Sequence, residues 1–224
     1  ALRDRFAVGA VGAAFRHRDR VADGAAFFDG ELAVDRERAT GDAGPRAYNH
    51  TAGVATADAD GTVVSSLVTV FDDFGSAVFV EEGGFVLTNR AAGFTEGPNA
   101  PRPGARPVHT LSPSLHVTRA GDLVAVATPG ADGQVQTLLQ VHLNLRTGDA
   151  IDVAQARPRW RLQEGSLMVE EDHPSLAALR DRGHAVVPVA ARDALFGSVV
   201  AAGVDGEGPW AAADVRREVA AGGA

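Results

Sequence analysis

The stretch from Thr51 to Val70 constrains this chain most. Two β-prone runs flank Asp58-Ala59-Asp60-Gly61, and Asp and Gly between such runs specify a hairpin. Loop length then decides the register. A three-residue loop centred near Asp60 sets Thr51 opposite Thr69, whereas a two-residue loop shifts the pairing by one residue. Two facing threonines at a hairpin's open end have two readings. They are a cross-strand Thr pair, or a hydroxyl nucleophile and the group that orients it. The hairpin alone leaves both open.

The remaining chain reads as short strands and helices in an order that suits an α+β layered fold. Residues 2–8 and 13–18 are mixed apolar and charged, hence helical, with Gly9 and Gly12 interrupting them. A further helix is expected over Glu31–Arg38, and residues 40–50 are linker-like. After the hairpin, strands are expected over Ser76–Val80 and Phe85–Leu87, then a Gly/Pro-rich loop over residues 93–110. That loop is long enough to suggest a functional role. A second hairpin surrounds Ala120-Gly121-Asp122, and Gln134–Leu145 has helical spacing. Strands flank Glu164-Gly165, an amphipathic helix covers Pro174–Arg182, and strands over Ala185–Val189 and Ser198–Gly203 finish the pattern.

Several chemistries are excluded or disfavoured. The chain has no cysteine, which removes disulfides, thiol catalysis and thiolate metal sites. Net charge is −8, a poor basis for nonspecific nucleic-acid binding. No apolar run approaches a membrane span. The seven histidines lack paired metal-ligand spacing, so no metal or other cofactor is expected. Asp72-Asp73 and Glu170-Glu171-Asp172 read as solvated acidic faces, and Trp160 and Trp210 as packing anchors. Any targeting signal would lie upstream of Ala1, so the compartment stays open.

From Thr51 onward the motifs and their order resemble the small subunit of the γ-glutamyltransferase family of N-terminal nucleophile (Ntn) hydrolases. Thr51 is followed by Asp58, Asp60 and Gly61, and then by Thr69 and Phe74-Gly75-Ser76. Gly83-Gly84 and Phe85-Val86-Leu87-Thr88-Asn89 follow, then Arg102-Pro103 and Arg106-Pro107 leading into Leu111-Ser112-Pro113-Ser114. Pro129-Gly130-Ala131-Asp132 and Gln136-Thr137 complete the set. The resemblance implies a four-layer αββα sandwich of which this chain supplies part. It also implies that residues 1–50 are the tail of a large-subunit region and a linker, and that residues 51–224 are the small-subunit catalytic region.

The same resemblance implies self-cleavage between His50 and Thr51, after which Thr51 is the nucleophile. A free α-amine, with a pKa of roughly 7.7–8.0, is the base its hydroxyl needs. Thr69 would orient that hydroxyl, and the Gly130 and Ala131 amides would bind the oxyanion. The family has a second glycine at Ala131; a backbone donor tolerates the change if φ is negative and the methyl fits. Phe71, Arg90, Gly93, His109 and Thr110 occupy positions where glutamyl-specific members carry Asn, Gln, Asp and adjacent serines. Losing the carboxylate at Gly93 while gaining Arg90 turns the pocket toward anionic or neutral groups. The structural alternatives are a surface cation at Arg90, a core aromatic at Phe71 and a backbone-bonded loop histidine at His109. The implied reaction is acyl transfer from a small-molecule or peptide-like amide to water or an amine, with the large-subunit region of the same precursor as partner. Two rivals remain: a divergent homologue acting on another amide or a C–C bond in specialised metabolism, and an unprocessed, non-catalytic homologue.

Overall fold

The computed structural model describes residues 2–21 and 51–223. The expected helix over 31–38, the linker over 40–50 and His50 lie outside the described residues.

The Thr51 hairpin forms with the three-residue loop. Strands β1 (Ala52–Ala57) and β2 (Val63–Val68) pair from Ala52 opposite Val68 to Ala57 opposite Val63. The Asp58 amide donates to the Thr62 carbonyl (3.0 Å) and the Gly61 amide to the Asp58 carbonyl (3.1 Å). The Asp58 carboxylate accepts from the amides of Asp60 (3.0 Å) and Thr62 (2.9 Å). Gly61 has φ +86°, the left-handed conformation that closes such a loop at least cost when the residue is glycine. Thr51 and Thr69 therefore stand one step beyond the Ala52–Val68 pair.

Small side chains set how closely this hairpin approaches its neighbour. Gly53, Ala55 and Ala57 share one face of β1. A Cβ at Gly53 would lie 3.2 Å from the Ala127 Cβ and 3.4 Å from the Thr128 nitrogen. The hairpin thus lies against a four-stranded antiparallel sheet ordered β11-β10-β6-β5. Its strands are β5 (Ser114–Val117), β6 (Leu123–Ala127), β10 (Val200–Asp205) and β11 (Gly208–Ala213). Ser65 of β2 joins the two sheets: its hydroxyl donates to the Val126 carbonyl (2.8 Å) and accepts from the Ser114 amide (3.2 Å). Strands β3 (Phe79–Val80) and β4 (Phe85–Val86) form a separate short hairpin.

Helix α2 (Gly133–Arg146) packs on both principal cores. Leu138 and Val141 pack with Val124, Val126, Val199 and Ala201 of the four-stranded sheet, and with Ala154 of α3 (Ile151–Ala156). Leu139 and Leu143 pack against the second core, built on β7 (Trp160–Gln163) and β8 (Ser166–Glu170). Helices α1 (Leu2–Phe15) and α4 (Leu176–Asp181) close that core through Val8, Val11 and Leu179. Strand β9 (Val186–Val189) runs parallel to β8.

β7 is the edge of its sheet, and α2 satisfies its outer backbone. The Gln136 side chain donates to the Leu162 carbonyl (3.1 Å) and accepts from the Leu162 amide (2.7 Å). Gln140, one turn later, does the same at Trp160 (2.9 and 3.0 Å). A side-chain amide offers the same donor and acceptor as a peptide, so two glutamines at i and i+4 stand in for a neighbouring strand.

Three expectations are corrected. Helix α1 runs unbroken through Gly9 and Gly12. A Cβ at Gly12 would sit 3.6 Å from Leu162 Cδ1, so packing on β7 outweighs glycine's weak propensity. Strand β11 exists beyond the last expected strand, because pairing with β10 overrides the poor β propensity of Pro209 and the alanines. Glu170 is not a solvated acid: it is fully buried, and Arg216 binds it through Nε (2.8 Å) and Nη2 (2.7 Å).

Replacing Gln140 by Leu strips both Trp160 backbone groups of their partner. Urea unfolding should show a loss of about 2–4 kcal/mol, against about 0.5 kcal/mol or less for Val135→Gln on the exposed face of the same helix.

Candidate active site

Thr51 is buried, with 8% of its surface exposed. Thr69 lies across the hairpin, and its hydroxyl oxygen accepts from the Phe71 amide at 3.0 Å, which fixes the Thr69 rotamer. The chain then turns sharply at Phe71, whose φ is +83°. Segment 88–90 is clamped onto this turn. The Thr88 hydroxyl (2.9 Å) and the Asn89 amide (3.1 Å) both donate to the Val70 carbonyl. The Asn89 side chain accepts from the Asp72 amide (3.0 Å) and donates to the Asp72 carboxylate (3.2 Å).

That clamp lays Arg90 over Phe71, with the guanidinium carbon 4.2 Å from the ring centroid. Arg90 Nη1 donates to the buried Thr110 hydroxyl at 3.0 Å. A Cβ at Gly93 would lie 3.6 Å from Phe71 Cζ and 3.5 Å from Pro107 Cβ. Phe71, Arg90, Gly93 and Thr110 are therefore gathered in one place. His109 does not join them: it is exposed, and its Nδ1 accepts from the Leu111 amide at 3.1 Å. It lines a groove of about 500 Å³ together with Phe94, Pro103 and Arg106. The long loop around it is held by Asn99, whose side chain bonds the Gly93 carbonyl (2.9 Å) and the Val108 amide (2.8 Å). Arg90 is half-buried, and its Nε and Nη2 have no protein partner among the described residues.

β6 runs from Ala127 through Thr128 into the Pro129-Gly130-Ala131 loop, beside the start of β1. Gly130 and Ala131 are both buried, and among the described residues neither amide has a hydrogen-bond acceptor. Two adjacent buried donors without acceptors can receive an oxyanion. Gly130 has φ +127° and Ala131 φ +51°. Of the two conditions for tolerating alanine here, the methyl fits at 0% exposure, but φ is positive, so Ala131 sits on a left-handed backbone. Arg18 Nε reaches the same loop at Asp132 Oδ1 (3.0 Å).

One residue at this loop, Arg161, was not singled out from the sequence. Arg161 of β7 donates from Nη2 to the Gly130 carbonyl (3.2 Å), and its guanidinium lies against Gly133. The available signal was an arginine pair, Arg159 and Arg161, alternating with Trp160 and Leu162 in an apolar strand. His116 and His142 stack at 5.5 Å, with Nδ1 atoms 3.4 Å apart. Among the described residues, no group of three His, Cys, Asp or Glu side chains is placed to hold a metal ion. No helix among them is long and apolar enough to cross a membrane.

The fold and its structural neighbours place the chain among the Ntn hydrolases. Residues 17–224 match the model of the gamma-glutamyltranspeptidase family, and the chain belongs to that family. It is 30% identical over 165 residues to the oxamate amidohydrolase proenzyme of Klebsiella pneumoniae, covering 68% of this chain and 31% of that protein. It is 33% identical over 171 residues to the glutathione hydrolase-like YwrD proenzyme of Bacillus subtilis, covering 70% and 32%. The chain therefore spans about a third of these curated relatives. Among solved structures, a highly active mutant of gamma-glutamyltranspeptidase from Pseudomonas nitroreducens superposes with a TM-score of 0.63 at 26% identity, over 75% of this chain and 96% of that one. Cephalosporin acylase from Bacillus halodurans gives 0.67 at 29% identity, over 76% and 33%.

A left-handed alanine costs roughly 1–2 kcal/mol. Ala131→Gly should therefore raise the stability of the full-length protein by about 1 kcal/mol in thermal or urea unfolding, while keeping the backbone donor.

Proposed function

We propose that this chain is the catalytic small-subunit part of an amidohydrolase or acyltransferase in which Thr51 is the nucleophile. What carries the reading is the placement of buried Thr51 opposite Thr69, beside a strand that leads into two buried amides without acceptors. In this reading the bond between His50 and Thr51 is cut, residues 1–50 belong to the large-subunit region and linker, and residues 51–224 form the small subunit. The large-subunit region completes a four-layer αββα sandwich with this chain. Two relatives named as proenzymes support a processed precursor.

The Thr51 hydroxyl attacks the amide carbonyl while its α-amine takes the hydroxyl proton. Thr69 holds the hydroxyl, and the amides of Gly130 and Ala131 receive the developing oxyanion. Collapse breaks the C–N bond, the amine passes its proton to the leaving nitrogen, and an ester to Thr51 remains. Water or an acceptor amine then attacks the ester, with the same α-amine taking its proton and returning it to Thr51. No cofactor enters these steps.

Substrate choice falls to the group around Arg90. A half-buried guanidinium stacked on an aromatic ring, with two nitrogens unengaged, is suited to a carboxylate. The absence of a carboxylate at Gly93 disfavours an α-ammonium there. We assign the chain amides whose acyl part carries a negative charge, and a relative named for oxamate, an amide beside a carboxylate, supports this class.

Intact mass of the expressed full-length precursor should show two fragments split before Thr51, and one uncut chain for Thr51→Ala. An uncut parent that stays uncut for days would leave the α-amine blocked and favour a non-catalytic homologue. Arg90→Met should raise KM for oxamate-like amides by about 10- to 100-fold with a smaller change in kcat. Equal turnover of a γ-glutamyl anilide and an anionic amide by the parent would contradict the assigned substrate class.

A further inference from the structure

We infer that Arg161 is a positioning residue for the oxyanion-binding amides: its guanidinium holds the Gly130 carbonyl so that the Ala131 N–H is presented to the reacting carbonyl. This rests on the acyl-transfer reading of Thr51.

The Gly130 carbonyl accepts from Arg161 Nη2 (3.2 Å) and from the Gly133 amide (2.7 Å). A trans peptide is planar with its C=O and N–H opposed, so a carbonyl held toward Arg161 turns the Ala131 N–H the other way. The preceding peptide is held similarly: the Pro129 carbonyl accepts from the Thr128 hydroxyl (3.1 Å), which turns the Gly130 N–H away from Thr128. Both orphan donors are thus aimed from behind, by partners on their carbonyls.

Arg161 is a costly way to fill this space. It is 2% exposed, and among the described residues it bonds backbone carbonyls, those of Gly130 and of Leu195 (2.7 Å from Nη1). Among the described residues no carboxylate lies within ion-pair distance of it, and Nε has no partner. It also faces the start of helix α2, whose partial charge is positive. A packed apolar side chain would be the more stable filling if structure alone were served. Burial pushes the Arg161 pKa down to about 10 despite the nearby Asp132 carboxylate, so it stays cationic at neutral pH. A cation on the carbonyl polarises the peptide and strengthens its N–H as a donor. Room for the guanidinium comes from Gly133, where a Cβ would lie 2.6 Å from Arg161 Cζ and 2.7 Å from Nη1.

The test uses the full-length processed protein, with rates counted per processed chain by intact mass. Arg161→Met should lower kcat about 10- to 100-fold, near the effect of losing one oxyanion donor, with KM changed less than about 3-fold. Arg161→Lys should recover part of the loss. An alkyl boronic acid that forms a tetrahedral adduct on Thr51 should lose affinity in proportion to kcat/KM. Gly133→Ala, which displaces the guanidinium without deleting it, should lower kcat in the parent and add little in the Arg161→Met background, a non-additivity expected of one shared interaction. Unchanged kcat in folded Arg161→Met overturns the inference, as does equal loss of substrate and boronate affinity. If Arg161→Met fails to fold, Arg161→Lys and Gly133→Ala decide by the same readouts. Full activity in Thr51→Ala would sink the acyl-transfer reading itself, whereas an inactive Thr51→Ala beside a parent-like Arg161→Met would sink this inference alone.

Discussion

The pairing of two glutamine side chains with the free edge of β7 is the interaction on which the described fold depends. An edge strand buried against a helix would leave its amides and carbonyls without water or partners. Gln136 and Gln140 supply both at Trp160 and Leu162. This commits one side of α2 to the second core and turns Leu138 and Val141 to the first. The Gly130-Ala131 loop opens directly into α2, so its position is inherited from the same contact. Hence the helix that joins the two cores also locates the candidate oxyanion donors.

Buried charge is used in two contrasting ways around this frame. Arg159 and Arg216 are paired with Asp214 and Glu170, and donate further bonds to the carbonyls of Gln155, Arg157 and Phe196. The cluster ties the segment after β11 to β7, β8 and α3. Neutralised, bonded clusters of this kind stabilise one arrangement over others more than they add net stability. Arg161 has no such carboxylate among the described residues, and its donors go to the backbone of the loop and of the turn at Leu195. Two arginines at the start of β7 therefore do different work: Arg159, just before the strand, is neutralised within the scaffold, and Arg161, within it, is aimed at the candidate site.

Backbone strain falls on both sides of that site. Phe71 and Ala131 are non-glycine residues in the left-handed region, a conformation that persists where surrounding contacts over-determine it. At Phe71 the Asn89 clamp and the Arg90 stack supply those contacts. At Ala131 full burial and the held Gly130 carbonyl do so. Neither strain was legible in sequence, since Phe and Ala carry no local signal for positive φ. The motifs mark where the site lies; the strain shows how firmly it is held.

The sequence by itself determined the hairpin and the place of its turn, because Asp58, Asp60 and Gly61 bond within five residues, whereas the choice of the three-residue loop and the Thr51–Thr69 register came only with the folded turn. It also determined the second hairpin, α2 and the strand pair around Glu164-Gly165, where periodicity and turn residues are local. Tertiary structure alone decided the continuity of α1, the existence of β11 and the burial of Glu170. It also decided that Phe71, Arg90, Gly93 and Thr110 converge while His109 stays outside. Each of these rests on partners distant in the chain: Leu162 for Gly12, β10 for β11, Arg216 for Glu170 and Thr110 for Arg90. Propensity reports what a segment prefers alone; these outcomes depend on what it meets.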